Sequence, residues 1–303
     1  MGLYSGVHPI LECGVTIYEI LIMINSRKGI PMKLFVSDLD GTLLNNQQKL
    51  SLETIETIND LIGKGMQFSI ATARSIKSAW ELISPLDLRL PVIVHNGVFI
   101  YDPITKKNIR SCYLDRSETR EILKTLEQHE ISPLLYTINH AGVYKVYYQE
   151  MQNKGQEDYI NDRVRKGDKR FTCVDHFNID SDEDVITLVA IDTENSLREV
   201  YDILRSEHEI GFNFSEDIYT HAYWLEMTHL YANKKNAVLA LKDQCGADEI
   251  ISFGDNINDL PMFDVSSFCC AVSNANEAVK KAASIVIGSN EEHGVAKFLR
   301  EYA

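Results

Sequence analysis

No Cys-x-x-Cys pair occurs in the chain, and its six cysteines (Cys13, Cys112, Cys173, Cys245, Cys269 and Cys270) have no metal-finger spacing. That absence argues against a zinc finger and leaves buried or inert thiols of a reducing compartment, with the cytoplasm as the expected location. Basic charge is scarce as well: 30 Lys and Arg against 44 Asp and Glu give a formal net charge of -14. Pairs such as Arg27-Lys28 and Lys280-Lys281 are scattered and build no polybasic tract, so no nucleic-acid partner is expected. Long apolar runs are also missing. The stretch "GVTIYEILIMI" at 14–24 is too short to span a bilayer and carries Glu19. It has neither a basic segment before it nor a small-residue cleavage site after it, so no anchor or signal peptide is expected. Repeats and low-complexity linkers are absent too.

What is present is an ordinary globular composition, 45% hydrophobic and 24% charged over 303 residues, enough for one large or two medium domains. Residues 1–31 read in two ways, as an extension ahead of a natural start at Met32 or as an ordinary N-terminal helix. From Met32 onward, short apolar runs recur, each ending in polar or small residues: "LFVSD" at 34–38, "FSIAT" at 68–72, "VIVHN" at 92–96, "IISFGD" at 250–255, "CCAV" at 269–272 and "SIVI" at 284–287. Runs of this kind suit strands of a parallel sheet, covered on both faces. Between the first two, Leu52, Ile55, Ile58, Leu61 and Ile62 fall on one helical face, with Ser51 as cap and Gly65 as terminator. A second helix is expected over Asn236–Cys245, closed by Gly246. The middle of the chain, 98–215, mixes aromatic and β-branched runs with helical stretches, an α+β insert large enough for its own core.

Polar residues crowd the expected carboxyl ends of the strands, where open α/β sheets bind ligands. They are Asp38 and Asp40, Thr72 and Arg74, His95 and Asn96, and Asp255 with Asn256, Asn258 and Asp259. Aspartates gathered on one rim repel unless a hard cation such as Mg²⁺ neutralises them, and Lys234 or Lys235 offers further positive charge. Asn96 suits a substrate cleft or an Asn-Gly turn equally well, and Arg74 reads more readily as a helix-start or ion-pair residue than as a ligand.

Four motifs in order, "DLDGTLL" from Asp38, "ATARS" with Thr72, "KKNAVLAL" with Lys234 and "GDNINDLPM" from Gly254, resemble those of the haloacid dehalogenase-like superfamily, and within it the Cof-type subclass IIB phosphatases. The tail "SNANEAVKKAASIVIGSNEEHGVAKFL" is similar as well, so the likeness runs over 32–303. Asp38 and Thr72 stand 34 positions apart and Thr72 and Lys234 162 apart, so any cap domain falls in the second gap. The resemblance therefore implies a Rossmann-like core over 32–97 and 216–303 with a C2-type cap over 98–215. It implies a Mg²⁺-dependent phosphatase acting on a small phosphorylated metabolite, a sugar phosphate first, through an aspartyl phosphate. Asp38 is then the nucleophile, Asp40 the acid and base, and Thr72 and Lys234 the phosphate grip; Asn258, Asn96, Gly41 and Thr42 are the substrate contacts. Mg²⁺ is expected on Asp38, the Asp40 carbonyl and Asp255, with Asp259 behind them. A phosphotransferase or mutase, or a non-catalytic sensor of a phosphorylated ligand, are the alternatives.

Overall fold

A computed structural model describes residues 31–216 and 222–302. The two readings of the leader concern residues outside that set. Along the chain, β1 (Lys33–Ser37), β2 (Gln67–Ile70) and β3 (Val92–Val94) are followed by β4 (Phe99–Asp102) and β5 (Lys107–Ser111). Next come β6 (Leu134–Ile138), β7 (Tyr144–Tyr148), β8 (Phe171–Cys173), β9 (Asp184–Asp192), β10 (Gly211–Glu216) and β11 (Tyr223–Thr228). The chain closes with β12 (Glu249–Gly254), β13 (Phe268–Val272) and β14 (Ile285–Ile287).

The six apolar runs of the sequence are β1, β2, β3, β12, β13 and β14. Five of them form one parallel sheet in the order β14-β13-β12-β1-β2, and an Ala71–Ile93 bridge extends it toward β3. From β1 the chain winds one way through β2 and the other way through β12, so the strand order reverses between β1 and β12. Such a reversal opens a crevice at the carboxyl ends of the two strands, which are Asp38 and Asp255. Leu34, Val36, Ile70, Ile250 and Phe253 are buried in the core beneath it, each contributing about 1.5–3 kcal/mol by leaving water.

Helix Leu52–Gly63 is capped by Ser51, whose side chain accepts a hydrogen bond from Thr54 N, and it buries Thr54, Thr57, Ile58 and Ile62. The expected face is rotated at its start: Leu52 is 76% exposed. It occupies the first helical position, on the solvent side of an arc centred on Ile58 and Ile62. The second helix begins earlier than expected, as Lys234–Cys245, because Asn233 caps it by accepting from Asn236 N; Gly246 ends it in the left-handed conformation. Lys234 is thereby the first residue of a helix, aimed from its N-terminus.

The insert contains a six-stranded sheet, β10-β11-β9-β6-β7-β8, antiparallel except for the β7–β8 pair. Helices Arg116–Gln128 and Glu194–Glu207 cover one face through Leu126, Leu197 and Leu204. Helix Lys154–Arg165 covers part of the other through Ile160. Strand pairing carries this sheet past residue 215, to β11. The antiparallel strands β3, β4 and β5 form a small sheet of their own, and Phe99, Ile100 and Cys112 pack with the core strands. At the far side β11 pairs with both β10 and β9, so "YWLEMT" belongs to the insert sheet; its aromatic and apolar side chains fill a place that would otherwise be an open edge of β9.

Candidate active site

The carboxyl end of β1 is held against β12 by a hydrogen bond from Asp38 N to Phe253 O, 2.9 Å long. Lys234 reaches this point from its helix with no side-chain exposure, and its Nζ donates to Asp38 Oδ1 at 2.5 Å and to Asp259 Oδ1 at 2.6 Å. Lys235 points elsewhere, toward Asp264 at 3.9 Å and half exposed. The other oxygen of Asp259 accepts from Asp255 N at 2.9 Å and Asn256 N at 3.0 Å, capping the turn Ile257–Asp259. Asp259 is thus tied to backbone and lysine, while Asp255 Oδ1 accepts from the Thr42 hydroxyl at 2.9 Å. Asp38, Asp255 and Asp259 each offer an oxygen within 4.8 Å of the others.

Gly41 makes this approach feasible. Its φ is +75°, and a Cβ there would lie 2.4 Å from Asp255 Oδ2, so any larger residue would be strained and would collide with the carboxylate. The Gly41 carbonyl accepts from Asn274 Nδ2 at 2.8 Å, a contact that no reading of the motifs picked out although Asn274 stands in the quoted tail.

Charge in the cluster is incompletely balanced. Burial holds the Asp38 carboxyl well above the usual range; Lys234 pulls it down, and Asp259 and Asp255 push it up. Asp255 is pushed up to about 6, first by burial and then by Asp259. For Lys234, burial alone would lower the pKa, but Asp259 and Asp38 outweigh it and raise it. Crowded oxygen donors whose charge one ammonium does not offset are the donor set a hard divalent cation takes. The residues present fit such an ion.

The Asp40 side chain is 45% exposed. Arg74 grips both its oxygens, Nε to Oδ2 at 2.7 Å and Nη2 to Oδ1 at 2.6 Å, and also donates to Gln48 Oε1 at 2.9 Å. That bond to Asp40 raises the arginine's own pKa. Thr72 is buried, its hydroxyl accepting from Arg74 N at 3.1 Å. Asn96 Oδ1 accepts from Asn258 Nδ2 at 3.1 Å, joining the two candidate substrate contacts across the cleft. His95 and Asn96 both have positive φ, 50° and 53°, and Gly97 follows at 104°. A Cβ on Gly97 would meet Asn233 O at 2.3 Å, so this strained turn presses on the residue just before Lys234. His95 itself is stacked on Tyr144, and burial, helped by Arg170, lowers its pKa to about 4; it stays neutral at ordinary pH.

A reversed strand order with buried carboxylates and a lysine at the switch point is the layout of an α/β fold whose ligand site lies at the carboxyl edge of its sheet. The chain matches the haloacid dehalogenase-like hydrolase family over residues 35–299 and belongs to it. It is a phosphatase of that family. The 5-amino-6-(5-phospho-D-ribitylamino)uracil phosphatase YitU of Bacillus subtilis is 26% identical over 278 residues, covering 89% of this chain and 97% of the relative. Among solved structures, a haloacid dehalogenase-like hydrolase from B. subtilis aligns with TM-score 0.72 at 23% identity, over 90% of this chain and 100% of that one. The subclass IIB sugar phosphatase BT4131 aligns at 0.68 and 21%, over 89% and 98%. At those identities the structures establish the fold. No helix among the described residues is long and apolar enough to cross a membrane.

Proposed function

We propose that the protein is a Mg²⁺-dependent phosphatase that hydrolyses a small phosphorylated metabolite, a sugar or polyol phosphate, through an aspartyl phosphate on Asp38, in the cytoplasm. The observation that carries this reading is the meeting of Asp38, Lys234, Asp255 and Asp259, from three separate chain segments, at the switch point of the sheet. An Asp38 oxygen bonds to phosphorus as the ester oxygen departs, and Asp40 gives that oxygen a proton. Asp40 then takes a proton from water, whose oxygen bonds to phosphorus as the Asp38 bond breaks. Each Asp40 oxygen accepts one hydrogen bond from Arg74, which holds the carboxylate in place and leaves about two acceptor positions on it for the proton.

Thr72 and Lys234 hold the phosphoryl oxygens, with Asn258, Asn96 and the Gly41-Thr42 turn beside them. Asp38, the Asp40 carbonyl and Asp255 would hold Mg²⁺, backed by Asp259. When bound, the ion supplies neutralisation of the charge gathered on the carboxylates and phosphate. Positioning and charge neutralisation do most of the work in phosphoryl transfer. The insert sheet closes over the rim as a cap, with the chain crossing near 97–112 and again near 229–233. The substrates named for YitU and BT4131, a phosphorylated ribityl compound and sugar phosphates, support the choice of substrate class.

The test is p-nitrophenyl phosphate hydrolysis with Mg²⁺. Asp38→Asn is expected to lose at least about 10³-fold in kcat while melting cooperatively. An Asp38→Asn protein as active as wild type would remove the nucleophile from this scheme.

A further inference from the structure

A cavity of about 390 Å³ joins the two parts of the molecule, lined by Lys234, Asn96 and Asn258 on the core side and by Asn213, Glu226 and Thr228 on the insert side. Its size falls within the range of small-molecule sites. We propose that Glu226, steadied by Asn213, is the specificity-determining residue for the leaving group, and that it selects phosphomonoesters of polyhydroxylated alcohols bearing no second anionic group. This rests on the phosphatase reading of the adjoining site and assigns what that reading leaves open.

Strand alternation puts Glu226 where it can act. Its neighbours Leu225 and Met227 point into the apolar cluster under helices Arg116–Gln128 and Glu194–Glu207, so Glu226 points to the opposite face of β11. Asn213 stands directly across from it on β10. The bond Asn213 Nδ2 donates to Glu226 Oε2 is long, 3.4 Å, and an ionised carboxylate has about four acceptor positions to fill. Burial raises the carboxyl's pKa, and Asn213 offsets part of that rise. A half-buried carboxylate with spare acceptor capacity beside a phosphate grip suits hydroxyl donors on a substrate. It also repels a second anion. Of the two lysines in the cavity wall, Lys234 is already bonded to Asp38 and Asp259, and Lys235 leans toward Asp264.

The experiment compares ribitol 5-phosphate, phenyl phosphate and 3-phosphoglycerate as substrates of the full chain with Mg²⁺, for wild type, Glu226→Ala and Glu226→Gln. Wild type is expected to prefer ribitol 5-phosphate over phenyl phosphate in kcat/KM. That ratio should fall at least about tenfold in Glu226→Ala, as expected for losing hydrogen bonds to a charged group. Glu226→Gln, close to isosteric, should improve 3-phosphoglycerate relative to phenyl phosphate by a few-fold. An unchanged ratio in Glu226→Ala, or a wild type that favours 3-phosphoglycerate over ribitol 5-phosphate, overturns the assignment. A wild type inert on all three esters would instead sink the phosphatase reading, and the assignment with it; activity on phenyl phosphate without the ratio change sinks the assignment alone.

Discussion

Replacing Lys234 by Met removes the sole ammonium bonded to both Asp38 and Asp259 among the described residues. Methionine fills much the same volume, so packing is nearly preserved and the loss is electrostatic. Breaking a buried ion pair from one side costs about 3–5 kcal/mol, because the remaining charge stays buried without its partner. At about 2–4 °C per kcal/mol for a domain of this size, even the lower figure predicts a fall in Tm of about 6–12 °C in the absence of metal. The fall should depend on pH. Burial gives Asp255 a pKa of about 6 against an ordinary 3.8, so between those values the folded chain binds more protons than the unfolded one and loses stability as pH rises. Without the ammonium, protonation becomes the main relief for the cluster, and the destabilisation should be larger at about pH 7.5 than at about pH 5. Thermal melts in EDTA at the two pH values measure it, and millimolar Mg²⁺ should restore part of the loss by linkage. A drop in Tm below about 2 °C at the higher pH, or one equal at both, would refute the view that Lys234 is the internal counter-charge.

Gly41→Ala should cost about 1–2 kcal/mol from the left-handed backbone alone. Its Cβ would also displace the Asp255 carboxylate, so stabilisation by Mg²⁺ in the same melts should shrink; an unchanged Mg²⁺ response would show that Asp255 adapts. Arg74→Ala should lower kcat about tenfold with little change in KM, and Arg74→Lys should recover part of it, because the forked grip on Asp40 positions the proton carrier. A rise in KM at constant kcat would make Arg74 a substrate ligand instead.

Much of the core could be read from the chain. Strands covered on both faces appear as unbroken apolar runs, and the polar residues ending them fall on one rim because parallel strands all finish at the same edge. Asp38 and Asp255 are therefore visible before any coordinates, and the glycine after Asp40 marks the turn. Lys234 and Lys235 could not be separated by spacing alone; the Asn233 cap, which fixes where the helix begins, decides which one points inward. The Asp40–Arg74 grip joins residues 34 positions apart, and no local pattern encodes such a contact. The pairing of the last strand of the insert sheet is likewise not encoded locally. Whether "YWLEMT" pairs with β9 or returns to the core depends on long-range partners, not on its own composition. Alternation in that strand shows that Glu226 opposes Leu225 and Met227, but not what lies across from it.

The strained turn at 95–97 packs against Asn233, and Cys112 N donates to Val98 O at 2.9 Å. Outgoing and incoming segments therefore meet at one spot on the rim. A graft that replaced everything beyond Cys112 and before Leu230 would need to bridge only a short gap, leaving the carboxylate cluster and its lysine in place. The insert sheet and the carboxylate cluster are thus joined through one narrow seam of the chain.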